Sequence, residues 1–249
     1  MYRCEATSVA GFIQQLAVSY VTNGYWFYVT GEIPAHKDPR AVEAKLIARC
    51  GLDVSKWTRC RRRKAGLASV QYLRHGHFFV IVATRGEHEF FTAEASRIRD
   101  IRRVPLRSAS YAVGCRRFAN RWHAAVRLDA DVFRRLKAKF TSLALHANTE
   151  RLEQVFRRLP VEPYAAVRRQ LFELLRAVNG VRRTAGLGLI SPAALRLHRQ
   201  NVVATIQQGA PVSLGNGGGT ERGVGADRAS NCPLPTGVAQ HERGMRVGR

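Results

Sequence analysis

The chain has few acidic residues and no long apolar run. Against 41 lysines and arginines it has only 18 aspartates and glutamates, a formal net charge of +23. No stretch reaches the roughly 18 consecutive apolar residues that a transmembrane helix needs, so no membrane span is expected. The apolar N-terminal stretch VAGFIQQLAVSYV is interrupted by Gln14 and Gln15. We therefore do not expect a signal peptide there.

The cysteines are scattered, odd in number and form no C-x-x-C pair. This pattern argues against a disulfide framework and against a cysteine zinc site. A reducing, cytoplasmic location is the expectation that follows. The five are Cys4, Cys50, Cys60, Cys115 and Cys232.

The composition changes near residue 209. The segment 209–249 is rich in glycine and has almost no apolar periodicity, so we expect a disordered tail that cannot offset its ordering entropy. It holds five arginines against three acidic residues, a net of +2, which leaves +21 of the +23 on 1–208. A binding surface is therefore expected in the part that folds.

The apolar periodicity changes from mixed to helical at Asp129. Residues 1–128 alternate helical and strand-like patterns, whereas 129–208 carry apolar stripes at helical spacing. We predict an α+β fold: a mixed region with an antiparallel sheet over 1–128, then an antiparallel helical region over 129–208. The short connection at 159–163 favours packing of the helices on the same body, with a separate helical domain as the alternative. The expected helices are 8–22, one starting at Asp38-Pro39, one capped by Ser55, three after Asp129, and a last one from Ser191 to about Gln207; strands are expected at 25–30, 68–73, 77–84 and within 98–128.

The stretch YLRHGHFFVIVATRGEH (72–88) predicts a β-hairpin within 68–84. Glycine is favoured in two-residue hairpin turns because such turns need positive φ, and histidine tolerates it better than most residues. His75-Gly76 is therefore the expected turn, flanked by Arg74 and His77. The run FFVIVA after it is expected to be a central strand buried on both faces.

A metal site is the alternative interpretation of the same stretch. On one continuous strand His75 and His77 would share a face and could bind a divalent metal, with His88, Glu87 or Glu89 as the third ligand. An H-x-H followed by an apolar strand resembles the HUH endonucleases, which nick single-stranded DNA. The resemblance implies a metal cofactor and a helical tyrosine nucleophile, for which Tyr164 is the candidate. It covers only 68–88, and Gly76 stands where the family has a bulky apolar residue. No cofactor is expected otherwise.

Two dense basic clusters are the strongest functional signal. KWTRCRRRKAG (56–66) has six basic residues and no acid, with Trp57 available to stack, and RIRDIRRVPLR (97–107) has five arginines and one acid. Arginine presents a flat fork of donors that suits phosphate. Arg116, Arg117 and Arg121 follow shortly. The candidate nucleic-acid-binding residues are Lys56, Arg59, Arg61, Arg62, Arg63, Lys64, Arg97, Arg99, Arg102 and Arg103.

The sequence therefore predicts a nucleic-acid-binding protein that contacts phosphates of DNA or RNA, with no assigned catalysis. The metal-dependent nickase is the first alternative, and a basic protein that binds a membrane face or an acidic protein is the second. The ratio of 35 arginines to six lysines also fits codon bias in a GC-rich genome. A helix-turn-helix over 183–201 is a secondary candidate.

Removal of the tail tests its expected disorder. Truncation after Gln208 should leave the melting temperature unchanged, because a segment without native burial has none to lose. It should weaken nucleic-acid binding only slightly, because the tail carries +2 of the charge. Thermal unfolding and a binding titration of the full and truncated chains measure both. A truncated chain that melts much earlier would contradict the prediction.

Overall fold

The computed structural model describes residues 4–197; the predicted tail at 209–249 lies outside the described residues. The fold is α+β with antiparallel sheets, as predicted. The first helix, α1 (Val9–Gln14), continues as a π-helical turn (Gln15–Tyr20) and a 3-10 turn (Val21–Asn23). The helices are α1 (Val9–Gln14), α2 (Pro39–Arg49), α3 (Lys56–Lys64), α4 (Glu89–Ala93), α5 (Ala130–His146), α6 (Thr149–Arg157) and α7 (Ala165–Thr184), and the strands are β1 (Phe27–Glu32), β2 (Val70–His75), β3 (Phe78–Ala83), β4 (Arg99–Asp100), β5 (Leu106–Ser108), β6 (Tyr111–Phe118) and β7 (Arg121–Leu128).

The first sheet has the strand order β2-β3-β1-β4 and is antiparallel throughout. Side chains alternate between its two faces because a strand has a period of two. Leu73 and Val80 face the main core, whereas Tyr72 and Ile81 face a second cluster formed with α2 and α4. The central strand β3 is thus covered on both faces, and the expectation for FFVIVA is confirmed.

The β2–β3 hairpin forms as predicted, but its turn lies one residue later. His75 pairs with Phe78 in the register, so the two turn residues are Gly76 and His77. Gly76 has a φ of 58°, and a two-residue turn with positive φ at its first central position is the type that glycine favours there. The expected turn at His75-Gly76 is therefore wrong by one residue, because Gly76 occupies the first and not the second turn position.

The second sheet, β5-β6-β7, is an antiparallel meander that packs against the C-terminal helices. The sequence predicted these strands but not that they form a sheet of their own. Helix α7 packs on both α5 and β7. The Gln170 side chain of α7 accepts a hydrogen bond from the Leu128 backbone N–H (2.8 Å) and donates one to its carbonyl (3.2 Å). One cluster of buried residues spans both sheets and these helices, across the 128/129 boundary.

The helix expected from Ser191 to about Gln207 is not formed at its start. Only a 3-10 turn, Pro192–Ala194, is present, and residues 195–197 are not helical; the remainder lies beyond the described part. The Asn179 side chain of α7 holds the backbone just before this turn, since it accepts from the Ile190 N–H (2.8 Å) and donates to the Ile190 carbonyl (2.9 Å). The short helix α4 was not predicted. Between residues 4 and 197 there is no helix long and apolar enough to cross a bilayer.

A buried arginine joins the C-terminal helices. Arg182 of α7 is 3% exposed, and among residues 4–197 no carboxylate pairs with it. Its guanidinium instead donates to the carbonyls of Gly188, Ala144 and Ala147 and to Thr149 Oγ1. The Ala144 and Ala147 carbonyls lie at the C-terminal end of α5, where a cation also meets the negative end of the helix dipole. Arg182 thereby fixes α5, the start of α6 and the loop after α7.

Replacement of Arg182 tests this assignment. Arg182→Ala leaves several buried acceptors without donors, so we expect the free energy of unfolding to fall by about 3 kcal/mol. The neighbouring Arg183 is exposed and gives a matched control with the same loss of charge. Arg183→Ala should change the stability by less than about 0.5 kcal/mol. Denaturant unfolding of both variants measures the difference, and equal stabilities would refute the structural role of Arg182.

Candidate nucleic-acid interface

Helix α3 presents one aromatic and two basic side chains to solvent. The Ser55 hydroxyl caps the helix by accepting from the Thr58 N–H at 3.1 Å. Trp57, Arg61 and Lys64 are all exposed, and their spacing of four and three residues places them on one helix face. Trp57 is 78% exposed, the most exposed of the large apolar side chains in 4–197. The outer face of α3 therefore combines positive charge with a flat ring.

The other arginines of α3 hold the helix against the body. Arg59 donates to the Val54 carbonyl, and Arg63 donates to the Asn23 carbonyl at 3.2 Å. Arg62 lies close to His88: burial lowers the pKa of His88, and the positive charge of Arg62 lowers it further. These contacts place α3 between the end of the α1 segment and the start of α4. Lys56 is the first residue of the helix.

The 97–103 part of the second predicted cluster (97–107) is partly neutralised by acidic neighbours. Arg97 forms an ion pair with Glu94 (3.1 Å), and Arg102 forms one with Asp100 (2.6 Å). Arg99 and Arg103 are exposed, and neither has an ion pair within residues 4–197. Of these four predicted residues, Arg99 and Arg103 thus offer guanidinium groups that no carboxylate occupies.

Arg102 lies between the two sheets. Its guanidinium bonds to both carboxylate oxygens of Asp100, through Nε (3.0 and 3.1 Å) and Nη2 (2.6 Å). The same group lies 4.4 Å from the Trp26 ring and 5.8 Å from the Trp122 ring. Since Trp26 precedes β1 and Trp122 belongs to β7, Arg102 connects the first sheet to the second. Its contribution to binding stays a prediction.

The outer ends of β6 and β7, with the turn between them (116–121), form a basic hairpin that we call the ribbon. The inner half of β6 is buried, whereas residues 116–118 and 121 are exposed. Phe118 and Arg121 pair across a two-residue turn, Ala119-Asn120, in which both residues have positive φ (45° and 62°). This is the pattern of a hairpin turn of type I′, which usually contains glycine. Because that glycine is absent, the turn was not predicted, although strands within 98–128 were expected and the arginines Arg116, Arg117 and Arg121 were noted.

The three basic segments lie at one end of the molecule. Val70, Ala83, Phe27 and Asp100 are aligned across the first sheet at this end, and α3 enters β2 there. The 97–103 segment is three strand spacings from β2, about 14 Å. The Val21–Asn23 turn accepts the Arg63 bond and packs against β7, so α3 and the ribbon flank one turn. We call the set α3, 97–103 and the ribbon the basic end.

Within residues 4–197, carboxylates neutralise some of the arginines that lie outside the basic end. Arg74 is 3% exposed and is paired with Glu5 (3.1 Å) and Glu43 (2.9 Å). Arg107 is paired with Asp129 and Asp131 at the start of α5. No ion pair of residues 4–197 involves an arginine of α3 or of the ribbon. Their charge remains available to an anionic partner.

The histidines of the alternative interpretation lie in three different settings. His75 ends β2 and packs near the Phe12 ring (6.4 Å between centroids). His77 lies in the turn, with its Nδ1 3.0 Å from the Ile33 carbonyl oxygen. His88 caps α4 by accepting from the Phe90 N–H at 3.0 Å. Across residues 4–197 no three His, Cys, Asp or Glu side chains are grouped so as to hold a metal ion.

Tyr164, the candidate nucleophile, lies at the edge of the hydrophobic core. It is the N-terminal flanking residue of α7, and its ring meets the ring of Tyr111 edge-on, 6.4 Å between centroids. The Tyr111 hydroxyl oxygen in turn accepts a hydrogen bond from the N–H of Glu162, which lies just before α7 (2.8 Å). This packing corresponds to the boundary role that its position on the apolar stripe of α7 indicates.

No disulfide joins the cysteines of residues 4–197. Burial raises the pKa of Cys115 to about 11, which the positive charge of Arg102 only partly offsets. Burial also raises the pKa of Cys4, whose Sγ donates to a Glu43 carboxylate oxygen at 2.8 Å. Both groups are therefore protonated at neutral pH and are not activated nucleophiles.

The Arg102–Asp100 pair predicts a pH dependence. Burial of the Asp100 carboxyl raises its pKa, but the hydrogen bonds and charge of Arg102 outweigh this, so the net pKa lies below its ordinary value. A lowered pKa gives stability that is present at neutral pH and is lost as pH falls through the acid range. Arg102→Ala should therefore cost roughly 1 kcal/mol above about pH 5, and the difference from wild type should shrink below about pH 4.

Denaturant unfolding at several pH values measures this difference. Arg151→Ala is the matched control, because it removes an exposed charge on α6 and leaves the bidentate contact of Arg102 with Asp100 intact. A destabilisation by Arg102→Ala that is the same at pH 7 and at low pH would show that Arg102 acts by packing on the tryptophans alone.

Comparisons with known proteins offer no relative for this arrangement. No family model, no curated protein and no solved structure matches the chain. The assignment of a function therefore rests on the basic end itself. It has exposed arginines and two exposed aromatic rings, and within the described residues the arginines of α3 and the ribbon have no carboxylate partner.

Proposed function

We propose that the protein binds nucleic acid through the basic end, mainly by contacts with phosphates. One observation carries the proposal: α3 and the ribbon present closely spaced arginines, none of which has a carboxylate partner in 4–197, in a chain of net charge +23. Such a concentration of one charge repels itself unless an anion lies against it. Nucleic acid supplies closely spaced negative charges along its backbone.

The outer face of α3 supplies the first set of contacts. Arg61 and Lys64 point into solvent, so they can reach phosphates without breaking contacts to the body. Arg63 and Arg59 also donate to backbone carbonyls, and their role is to hold the helix in place while adding to the local field. Each phosphate neutralised releases condensed counterions, which makes affinity fall linearly with salt on a log–log plot.

The exposed arginines of 97–103 supply the second set. Arg99 and Arg103 lie at the edge strand β4 and its following turn, across the sheet from α3. A nucleic-acid backbone that contacts both α3 and β4 would span about 14 Å, the distance of three strand spacings. Arg102 supports this arrangement from within, because it fixes the turn between the two tryptophans.

The nickase has no specific support in this geometry. His75 and His77 belong to a strand end and a turn, and Tyr164 packs on Tyr111. A manganese-dependent nicking assay on single-stranded DNA, with His77→Ala as its control, tests that hypothesis directly. An acidic protein or an anionic membrane is the other partner that a basic end can bind, and the salt experiment below includes it.

A salt series tests the proposal. Wild type should bind DNA or RNA at low salt, and Arg61→Ala/Lys64→Ala should lower the log–log salt slope by about 1.4 to 1.8, because each lost phosphate contact removes about 0.7 to 0.9. Arg151→Ala/Arg158→Ala is the matched control: both residues are exposed on or next to α6, and their removal changes the net charge equally. The control should leave the slope unchanged.

Two results would contradict the proposal. The first is no binding to DNA or RNA at low salt, with binding to anionic vesicles or to a polyglutamate peptide in the same buffer. The second is an equal loss of slope in both double variants, which would indicate an effect of overall charge and not of α3.

A further inference from the structure

The two exposed aromatic rings of the basic end indicate the kind of nucleic acid. We propose that the protein prefers single-stranded over duplex nucleic acid, because unpaired bases stack on Trp57 of α3 and Phe118 of the ribbon. This inference rests on the proposed function and adds its substrate class. Within 4–197 these are the two most exposed large apolar side chains, at 78% and 63%.

Trp57 differs from the other two tryptophans of the chain. Trp26 and Trp122 both have the Arg102 guanidinium near their rings. Trp57 instead projects from α3 beside Arg61 and Lys64, on a helix whose other arginines hold it to the body. Since exposure of an indole to water is unfavourable, a ring kept outside the core at a basic surface is typical of a recognition site.

Phe118 repeats the same combination at the tip of the ribbon. The Arg116 guanidinium lies 5.9 Å from its ring centroid, and Arg121 is its cross-strand partner. The His123 ring meets the Phe118 ring edge-on (6.3 Å between centroids), yet Phe118 remains 63% exposed. The ring is therefore presented by a short, defined turn with basic residues on both strands.

Stacking on these rings requires a base that is not already stacked. In a duplex each base has neighbours on both faces, and only edges and backbone are accessible to a side chain. An unpaired base offers its face to an aromatic ring, while the flanking arginines bind the adjacent phosphates. Loss of one such ring typically lowers affinity by roughly 5- to 150-fold.

The two rings belong to elements that flank one turn. Arg63 of α3 bonds to Asn23, and the Val21–Asn23 turn that contains Asn23 packs against β7 of the ribbon. A single strand that crosses this turn can therefore contact α3 with one part and the ribbon with another. A flexible single strand can follow this path easily, whereas a stiff duplex would have to bend at a cost in energy.

The experiment compares single-stranded and duplex forms of one labelled sequence of about 16 nucleotides, a length within known single-strand site sizes. The variants are Trp57→Ala, Phe118→Ala, Trp57→Phe and, as control, Phe172→Ala, which removes a partly exposed ring from α7. Each alanine variant at the basic end should lose roughly 5- to 150-fold in affinity for the single strand, with the salt slope unchanged. Affinity for the duplex should not change.

Two further readouts separate stacking from folding. Trp57→Phe should retain most of the single-strand affinity but lose the quenching of tryptophan fluorescence that the single strand causes. Circular dichroism should be the same for all variants, since both rings lie outside the core. Phe172→Ala should bind like wild type.

The outcomes distinguish this inference from the proposed function. Equal affinity for both forms, unaltered by Trp57→Ala and Phe118→Ala while the salt slope persists, would overturn the stacking inference and leave phosphate binding in place. Absence of any nucleic-acid binding at low salt would remove the proposed function and this inference with it.

Discussion

The shortage of carboxylates is the constraint on which the rest of this structure depends. With 18 acidic residues for 41 basic ones, the chain cannot pair every cation, so the position of each acid decides which arginines become structural. Glu5 and Glu43 make Arg74 part of the buried interior, and Asp100 holds Arg102 between the sheets. The arginines of α3 and the ribbon are among those left without an acid in 4–197, and they form most of the basic end.

Arg182 shows a second way to bury a cation in such a chain. Its guanidinium is satisfied by backbone carbonyls and a threonine hydroxyl, without an acid. The planar fork makes this feasible, because its several donors point in fixed directions toward separate acceptors. Lysine has one point of charge and could not span the same set. Part of the arginine excess is therefore structural, which codon bias alone does not explain.

Local signals made much of the fold predictable. Ser8, Asp38 and Ser55 cap helices as expected, because a side-chain oxygen before an apolar or basic helical run is a local property. The division of the strands into two sheets was not predictable, since pairing joins residues distant in sequence. The turn at Gly76 shows the limit most clearly: composition indicated a turn, but only the pairing of His75 with Phe78 fixes its register.

The candidate site was predictable in part for the same reason. The density of basic residues in 56–66 was sufficient to identify α3 as a charged helix. The neutralisation of Arg97 and Arg102 depends on Glu94 and Asp100, and charge counting along the chain does not assign such pairs. The strands of the ribbon were predicted, but the turn that joins them was not, because it uses Ala119 and Asn120 at positive φ, where glycine would have been the recognisable signal.

The ribbon has a consequence for the solubility of the protein. Strand β5 pairs with β6 only as far as Val113, so the outer half of β6 and β7 is two strands with unpaired backbone at both edges. Open strand edges promote pairing between molecules, and charged side chains along them are a common protection. The arginines of the ribbon provide that protection here. A polyanion that neutralises them would also remove the repulsion between neighbouring ribbons, and so would favour lateral association of protein molecules along its length.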